Sequence, residues 1–335
     1  GASSVIIDLR DNPGGLLSSS LDLLDLILPK NLDIVSTKGR AGKSIKSYKT
    51  LNNALIPESI NMAVLINGAS ASASEIVAGV LQDYDRAVVL GSQSFGKGLV
   101  QTVIGINQET ALKITNSKYY IPSGRSLQKR EFIDDDLIAD SAATADSLFQ
   151  TMAGRTVVGG GGITPDLIIK DEGSYPLAAS ILRSGAYFKF VQQNNDQYAS
   201  IEEVLNDDKL MENFKTFIDE NDISGYVDGQ EDLKQAKEKL SKKEEKNLFI
   251  NNAFSVIEKQ IEKTQSAMFE DEKEIIQRMI HGEFAFYYNG YEGRYNLYLQ
   301  DDMVVLKALE IFADESQYLS ILSNTESTEV ASIKN

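Results

Sequence analysis

The sequence predicts an α/β core followed by a mainly helical domain, on three observations. Short apolar runs at residues 5–9, 62–66 and 87–90 each lead into a turn, and the first two are followed by apolar residues at helical spacing. From about residue 171 the composition shifts toward Lys, Glu, Asn and Gln, with apolar positions recurring at helical intervals. The 335 residues, 42% of them hydrophobic, suffice for about two domains of roughly 100 to 200 residues, each with its own core.

Taken in order, residues 5–10 read as a buried strand and Asn12-Pro13-Gly14-Gly15 as a tight turn. Leu17, Leu21, Leu24 and Leu28 form the inner stripe of a helix. Residues 34–49, polar and lysine-containing, could form a hairpin, and residues 62–66 give a second apolar strand. The serine-rich string Ser70-Ala71-Ser72-Ala73-Ser74-Glu75 follows, and Ile76, Val77, Val80 and Leu81 then recur at helical spacing. Ser72 is thereby placed at a helix entrance. Residues 87–90 form the next strand, 95–98 a glycine-flanked turn, and 99–106 an extended run.

Composition excludes much chemistry. With one His and no Cys, the chain has no thiol nucleophile, no disulfide and no thiolate zinc site, and a Ser-His-Asp triad could draw only on His281. A formal net charge of −16 argues against nucleic acid or anionic membrane as partner, since both require clustered Lys and Arg. No apolar run approaches the ~20 residues of a membrane span. Hydrolytic chemistry would need a serine activated by a group other than imidazole, and lysine can serve when its amine is neutral.

Ser72 is the candidate nucleophile. The amides of a helix's first turn lack intrahelical acceptors, so Ala73 N–H is the natural donor to a developing oxyanion. The alternative is that Ser70, Ser72 and Ser74 only cap a helix. Lys97, between two glycines and flanked by apolar strands, is expected to point into a cleft, where desolvation would favour the neutral amine. Gln101 lies four positions on and, in an extended segment, would share its face and orient its amine. The alternatives for Lys97 are a solvated turn lysine or a phosphate contact, the latter weakened by Gly98 standing where a P-loop requires Ser or Thr.

Over residues 5–168 these motifs come in a recognisable order. Asp8-Leu9-Arg10-Asp11-Asn12-Pro13-Gly14-Gly15 is followed by the serine-rich string, Gln82-Asp83 and Phe95-Gly96-Lys97-Gly98-Leu99-Val100-Gln101. A strand at residues 111–115, Tyr119-Tyr120-Ile121-Pro122-Ser123-Gly124-Arg125, and Gly162-Ile163-Thr164-Pro165-Asp166 complete the series. In this the chain resembles the carboxy-terminal processing peptidases, tail-specific endopeptidases with a Ser/Lys dyad. The resemblance implies Ser72 as nucleophile, Lys97 as general base and Gln101 as supporting amide. It also implies an oxyanion hole from Ala73 with the Gly14-Gly15 turn, and Glu75 and Asp83 as structural supports. The implied fold is a crotonase/Clp-protease-like strand-strand-helix core, with no metal or organic cofactor. Implied substrates are polypeptides with unstructured C-terminal tails, which could pair with a free strand edge beside the site, and the implied location is the periplasm or cell envelope.

The sequence also departs from that family. Members carry a PDZ domain ahead of the Asp8-Leu9-Arg10 segment, nothing here corresponds to it, and the start on an apolar strand reads as a boundary within a longer protein. Residues 129–157 form a longer, acidic insertion including Asp134, Asp135 and Asp136, expected to be a solvated loop. Residues 159–162, all glycine, are expected to be a flexible loop. The expected domains are a core at 1–170, a mainly helical domain at 171–325, which is also a candidate surface for self-association, and a frayed tail at 326–335. His281 is expected to pack or face solvent, and Phe284, Phe286, Tyr287 and Tyr288 are expected to pack against the same helices unless they form a patch for peptide or subunit contact. Two other function classes stay open: a crotonase-type acyl-thioester enzyme and a non-catalytic peptide-binding scaffold.

Overall fold

The computed structural model describes residues 1–39, 44–129, 147–169, 173, 175–241 and 248–323. Two compact units result, one of residues Gly1–Asp171 with Met303–Asn335, the other of Glu172–Asp302.

The first unit is mixed α/β, as expected. Its strands β1 (Ser4–Asp8), β4 (Asn61–Ile66), β5 (Val88–Gly91) and β10 (Leu167–Ile168) form a parallel sheet in the order β1-β4-β5-β10. A second, antiparallel sheet has the order β3-β2-β7-β6. It comprises β2 (Asp33–Gly39), β3 (Ser44–Lys49), β6 (Leu99–Gly105) and β7 (Ala111–Tyr120). The hairpin foreseen at 34–49 is the β2–β3 pair, and β7 runs five residues past the strand expected at 111–115. A short hairpin, β8 (Leu148–Gln150) with β9 (Thr156–Val158), follows. Residues 130–146, which include the three aspartates of the expected loop, lie outside the described residues.

The unbroken apolar run of β4 has a physical cause. Successive strand residues point to opposite faces, and both faces of this sheet are covered. Met62, Val64 and Ile66 enter a core with α1 (Leu17–Ile27) and α2 (Ala73–Asp83), while Ala63 and Leu65 enter another with Val305, Ala308, Ile311 and Tyr318. Those four belong to α10 (Met303–Ala313) and α11 (Glu315–Ser323). Tyr318 also bonds the Met62 backbone, accepting from N–H at 2.9 Å and donating to the carbonyl at 3.2 Å. The helical domain expected over 171–325 thus differs from the structure: residues from Met303 onward belong to the first unit. The expected frayed tail at 326–335 lies outside the described residues.

The second unit is helical: α3 (Pro176–Ser184), α4 (Ala186–Asn194), α5 (Ile201–Leu205), α6 (Leu210–Glu220), α7 (Gln230–Ser241), α8 (Leu248–Asp271) and α9 (Lys273–Gln300). Phe190 and Phe214, 4.9 Å apart edge to face, pack with Leu177, Ile276, Ile280 and Phe284 at its centre. The buried Glu272 carboxylate accepts from Leu177 and Ala178 N–H at 3.1 and 2.8 Å, binding the positive end of α3. Arg278 reaches the Tyr298 carbonyl at 2.8 Å, although twenty residues of straight helix would span about 30 Å. The chain therefore reverses within α9, at Gly290, whose φ of 63° and ψ of −155° break the helix.

Candidate active site

The loops after the parallel strands β1, β4 and β5 meet at the carboxyl end of the sheet, the usual position for a site in such a sheet. Side chains tie them together: Ser70 Oγ donates to the Leu9 carbonyl at 2.7 Å, and Asn67 exchanges bonds with Asp11, from its Nδ2 to Oδ1 and from Asp11 N–H to its Oδ1, each 3.0 Å. Backbone bonds add Ala71 N–H to the Asn12 carbonyl at 3.0 Å and Phe95 N–H to the Ser70 carbonyl at 3.0 Å. From sequence Asn12 was only part of a turn, Ser70 a possible helix cap and Asn67 unmarked, because their partners lie on other loops.

Ser72 stands at the start of the fully buried α2, half-buried itself, with φ 57° and ψ −114°. This left-handed conformation costs a β-carbon-bearing residue on the order of 1–3 kcal/mol and persists only where its surroundings enforce it. Glu75 does so. Its carboxylate, wholly buried, accepts four hydrogen bonds: Ser72 N–H and Lys97 N–H on Oε2, both 2.8 Å, and Ser94 Oγ at 2.6 Å and Gly96 N–H at 2.7 Å on Oε1. One carboxylate oxygen therefore holds the backbones of Ser72 and Lys97 within two hydrogen-bond lengths of each other. Charge-assisted bonds of this kind are about twice as strong as neutral ones.

Ser94 is a residue the sequence reading passed over. Its hydroxyl donates to Glu75 and accepts from Ile163 N–H at 2.7 Å, linking the Lys97 turn to the glycine run. That run was expected to be a flexible loop; instead Gly160 N–H bonds the Ser126 carbonyl at 3.0 Å and Gly162 N–H the Leu127 carbonyl at 3.1 Å. A serine in a glycine-rich turn carries no sequence mark of such a role.

Lys97 departs from expectation. Its backbone is fixed, but the residue is exposed, so its side chain does not enter a closed cleft. The turn behind it is tightly packed: a β-carbon at Gly98 would lie 2.6 Å from Gln128 N. Lys97 precedes β6, which begins at Leu99, so the strand alternation expected to put Lys97 and Gln101 on one face does not run through both residues. Gln101 is exposed and its Nε2 donates to Thr115 Oγ1 at 3.3 Å.

The glycine turn lies directly against Ser72. A β-carbon on Gly14, which has φ +87°, would fall 2.5 Å from the Ala71 carbonyl oxygen and 2.8 Å from Ala73 N, so only glycine fits. Gly14 N–H is already donated to Asn12 Oδ1 at 3.0 Å, which withdraws it from the expected oxyanion hole. Gly15 N–H and Ala73 N–H, the first amide of α2, find no acceptor among the described residues.

Asp83, at the other end of α2, is fully buried and receives Arg125 Nη2 at 2.8 Å and Ser123 N–H at 2.9 Å. Burial raises its carboxyl above the usual carboxylate range despite the guanidinium beside it. Arg125 also bonds Gln82 Oε1 at 2.7 Å, and Gln82 Nε2 reaches Asp166 Oδ1 at 2.9 Å. Arg155, outside every motif read from sequence, pairs with Asp85 at 2.6 Å and Asp166 at 2.5 Å. Four separated stretches of chain thus converge on one buried polar network under α2. His281 lies in α9 of the second unit, half-buried, where burial lowers its pKa below 6.5. No helix among the described residues is long and apolar enough to cross a membrane.

Comparison with known proteins gives the following. Residues 1–138 match the family described as Peptidase family S41, and residues 177–312 match one described as "Probable PDZ-protease, C-terminal helical domain". The chain is 50% identical over 123 residues to a protein of Bartonella bacilliformis named "Carboxy-terminal-processing protease", covering 37% of this chain and 28% of that protein. It is 34% identical over 143 residues to a "Probable CtpA-like serine protease" of Staphylococcus saprophyticus, covering 42% of this chain and 29% of that protein. It therefore spans under a third of the length of these curated relatives. Among solved structures, the photosystem II D1 C-terminal processing protease aligns with a TM-score of 0.39 and 24% identity, over 51% of this chain and 35% of that one.

Proposed function

With residues 1–138 matching Peptidase family S41, we propose that the protein is a serine-type endopeptidase that cleaves polypeptides near their C-termini through Ser72 and Lys97. The observation that carries this reading is the Glu75 clamp, which bonds the amides of both residues on one oxygen. In the proposed reaction the Lys97 amine takes the Ser72 hydroxyl proton as Oγ attacks the peptide carbonyl carbon. The resulting oxyanion accepts hydrogen bonds from Ala73 N–H and Gly15 N–H, both without another acceptor among the described residues. Lys97, now an ammonium, gives its proton to the departing amine as the carbon–nitrogen bond breaks. Water then attacks the ester, again losing a proton to Lys97, and Ser72 is regenerated. Gln101, bonded to Thr115, would have to turn to reach the lysine. Asp83 and its arginine act at a distance, by holding α2.

Action in the periplasm or cell envelope belongs to the proposal, a location that the resemblance to carboxy-terminal processing peptidases supports. Self-association through the helical unit remains part of this proposal. The test is cleavage of casein by the wild-type chain, Ser72→Ala and Lys97→Ala across pH 6 to 10. Both variants should lose more than about 1,000-fold, the scale on which removing a nucleophile or its base acts. Cleavage surviving in Ser72→Ala would sink the reading. An inert wild type would favour the peptide-binding scaffold.

A further inference from the structure

We propose that Ser94 is a positioning residue for the Ser72–Lys97 reaction, acting through Glu75, and that the motif at residues 162–166 is the anchor that aims it. This role rests on the peptidase reading above. Gly162-Ile163-Thr164-Pro165-Asp166 stands last among the ordered motifs, with no task assigned from sequence. The structure sets it against the turn that carries Lys97.

Ser94 pairs with Ile163 in both directions: its N–H donates to the Ile163 carbonyl at 3.0 Å, and its Oγ accepts Ile163 N–H at 2.7 Å. A serine hydroxyl has one proton to give. Here that proton goes to Glu75 Oε1, at 2.6 Å, so both ends of the hydroxyl are committed and its rotation is fixed.

The anchor has little freedom of its own. Ile163 is fully buried in the core with Ile76, Val77 and Val80 of α2. Asp166 is fastened to β5, its N–H on the Val89 carbonyl and its carboxylate on Val89 N–H, both at 2.8 Å. Nearer Ser94 the backbones touch: a β-carbon on Gly162, at φ +87°, would fall 2.7 Å from Ser94 Oγ and 2.8 Å from the Ser94 carbonyl oxygen. Ser94 is therefore held from a segment that belongs to the core rather than to the turn.

What Ser94 holds in its place is one half of the Glu75 carboxylate. Oε1 takes Ser94 Oγ and Gly96 N–H, while Oε2 takes the amides of Ser72 and Lys97. Without the hydroxyl, Gly96 N–H alone restrains Oε1, and the carboxylate can turn and carry both amides with it. A misplacement of about 1 Å between reacting groups costs on the order of 100-fold in rate. Ser94 is buried and bonds neither Ser72 nor Lys97 among the described residues, so its loss should fall on kcat and spare KM.

The experiment is casein cleavage by the full chain, with kcat and KM resolved and thermal midpoints recorded beside them, for wild type, Ser94→Ala and Tyr318→Phe. Tyr318→Phe is the matched control: like Ser94→Ala it removes one donated and one accepted hydrogen bond, but on the face of the parallel sheet away from α2. Ser94→Ala should lower kcat roughly 10- to 100-fold with KM within about 2-fold of wild type. Tyr318→Phe should keep kcat within about 2-fold. Ser94→Cys retains a weak donor in a chain with no other cysteine and should lower kcat by an intermediate factor, and it reads the same split if Ser94→Ala fails to fold. Wild-type kcat in every Ser94 variant that folds, a loss confined to KM, or an equal fall in Tyr318→Phe would overturn the role of Ser94 and leave the peptidase standing. A wild type that cuts no casein refutes the peptidase and, with it, this role.

Discussion

Ser72 holds a backbone conformation that its own chemistry disfavours, and its neighbours supply what holds it there. Glu75 accepts four bonds with no donor of its own, so Glu75→Gln turns an amide NH2 toward groups that already donate. With two donors left unsatisfied, Glu75→Gln should lose on the order of 2–4 kcal/mol of stability in urea unfolding, together with most peptidase activity. A fully stable Glu75→Gln would mean the four bonds carry little. Gly14 and Gly15 make a sharper contrast. A β-carbon on Gly14 meets backbone atoms at 2.5 and 2.8 Å, whereas one on Gly15 meets nothing within 4 Å. Gly14→Ala should therefore cost more than about 2 kcal/mol and abolish activity, while Gly15→Ala stays within about 1 kcal/mol of wild type. Equal thermal midpoints for the two variants would contradict this geometry.

Among the elements, α9 shows how packing sets the chemistry of a side chain. Ile276, Ile280 and Phe284 form its buried stripe, and His281, beside that stripe, is half-buried. Burial disfavours the charged imidazolium, so the folded pKa lies below 6.5 and the unfolded chain binds more protons around that pH. Stability contributed by His281 is present above the unfolded pKa and is lost as pH falls through 6.5 toward the folded value. His281→Gln should flatten the decline in thermal midpoint between pH 7.5 and 6. Because the chain has one histidine, a single imidazole signal in NMR reports the titration directly. A pKa of 6.5 or above would refute the assignment. The reversal at Gly290 belongs to the same scale: it brings Arg294 onto Glu283 at 2.6 Å and over the Phe286 ring at 4.4 Å, closing the helix on itself.

At the level of the whole molecule, the chain leaves the first unit at Asp171 and rejoins it at Met303. The returning helices cover Ala63, Leu65, Val88 and Leu90, a complete face of the parallel sheet. Burial of each large apolar side chain is worth roughly 1.5–3 kcal/mol, against a total of about 5–15 kcal/mol for a folded protein. A chain ending at Asp302 should therefore aggregate or lose its near-ultraviolet circular dichroism. Tyr318→Phe, which removes two bonds to Met62, should remain folded with a loss of about 1–3 kcal/mol. A monomeric, well-folded chain lacking residues 303–335 would show that this face needs no cover.

The strands β1 to β7, the helices α1 and α2 and the position of Ser72 at a helix entrance were legible in the sequence, because periodicity and turn residues act locally. The family motifs likewise marked Ser72, Lys97, Glu75 and Asp83 without saying what each touches. Tertiary structure decided the rest. The apolar run 62–66 announced a strand buried on both faces, but which helices covered the second face depended on a contact between residues more than two hundred positions apart. The parity that joined Lys97 to Gln101 assumed one extended segment through both, whereas β6 begins at Leu99, a boundary set by pairing with β7 that leaves no local mark. The roles of Ser94 and Arg155 were invisible for the same reason. A local pattern fixes how a segment folds, and only the partner that packs beside it fixes which of its groups are bonded and which are free.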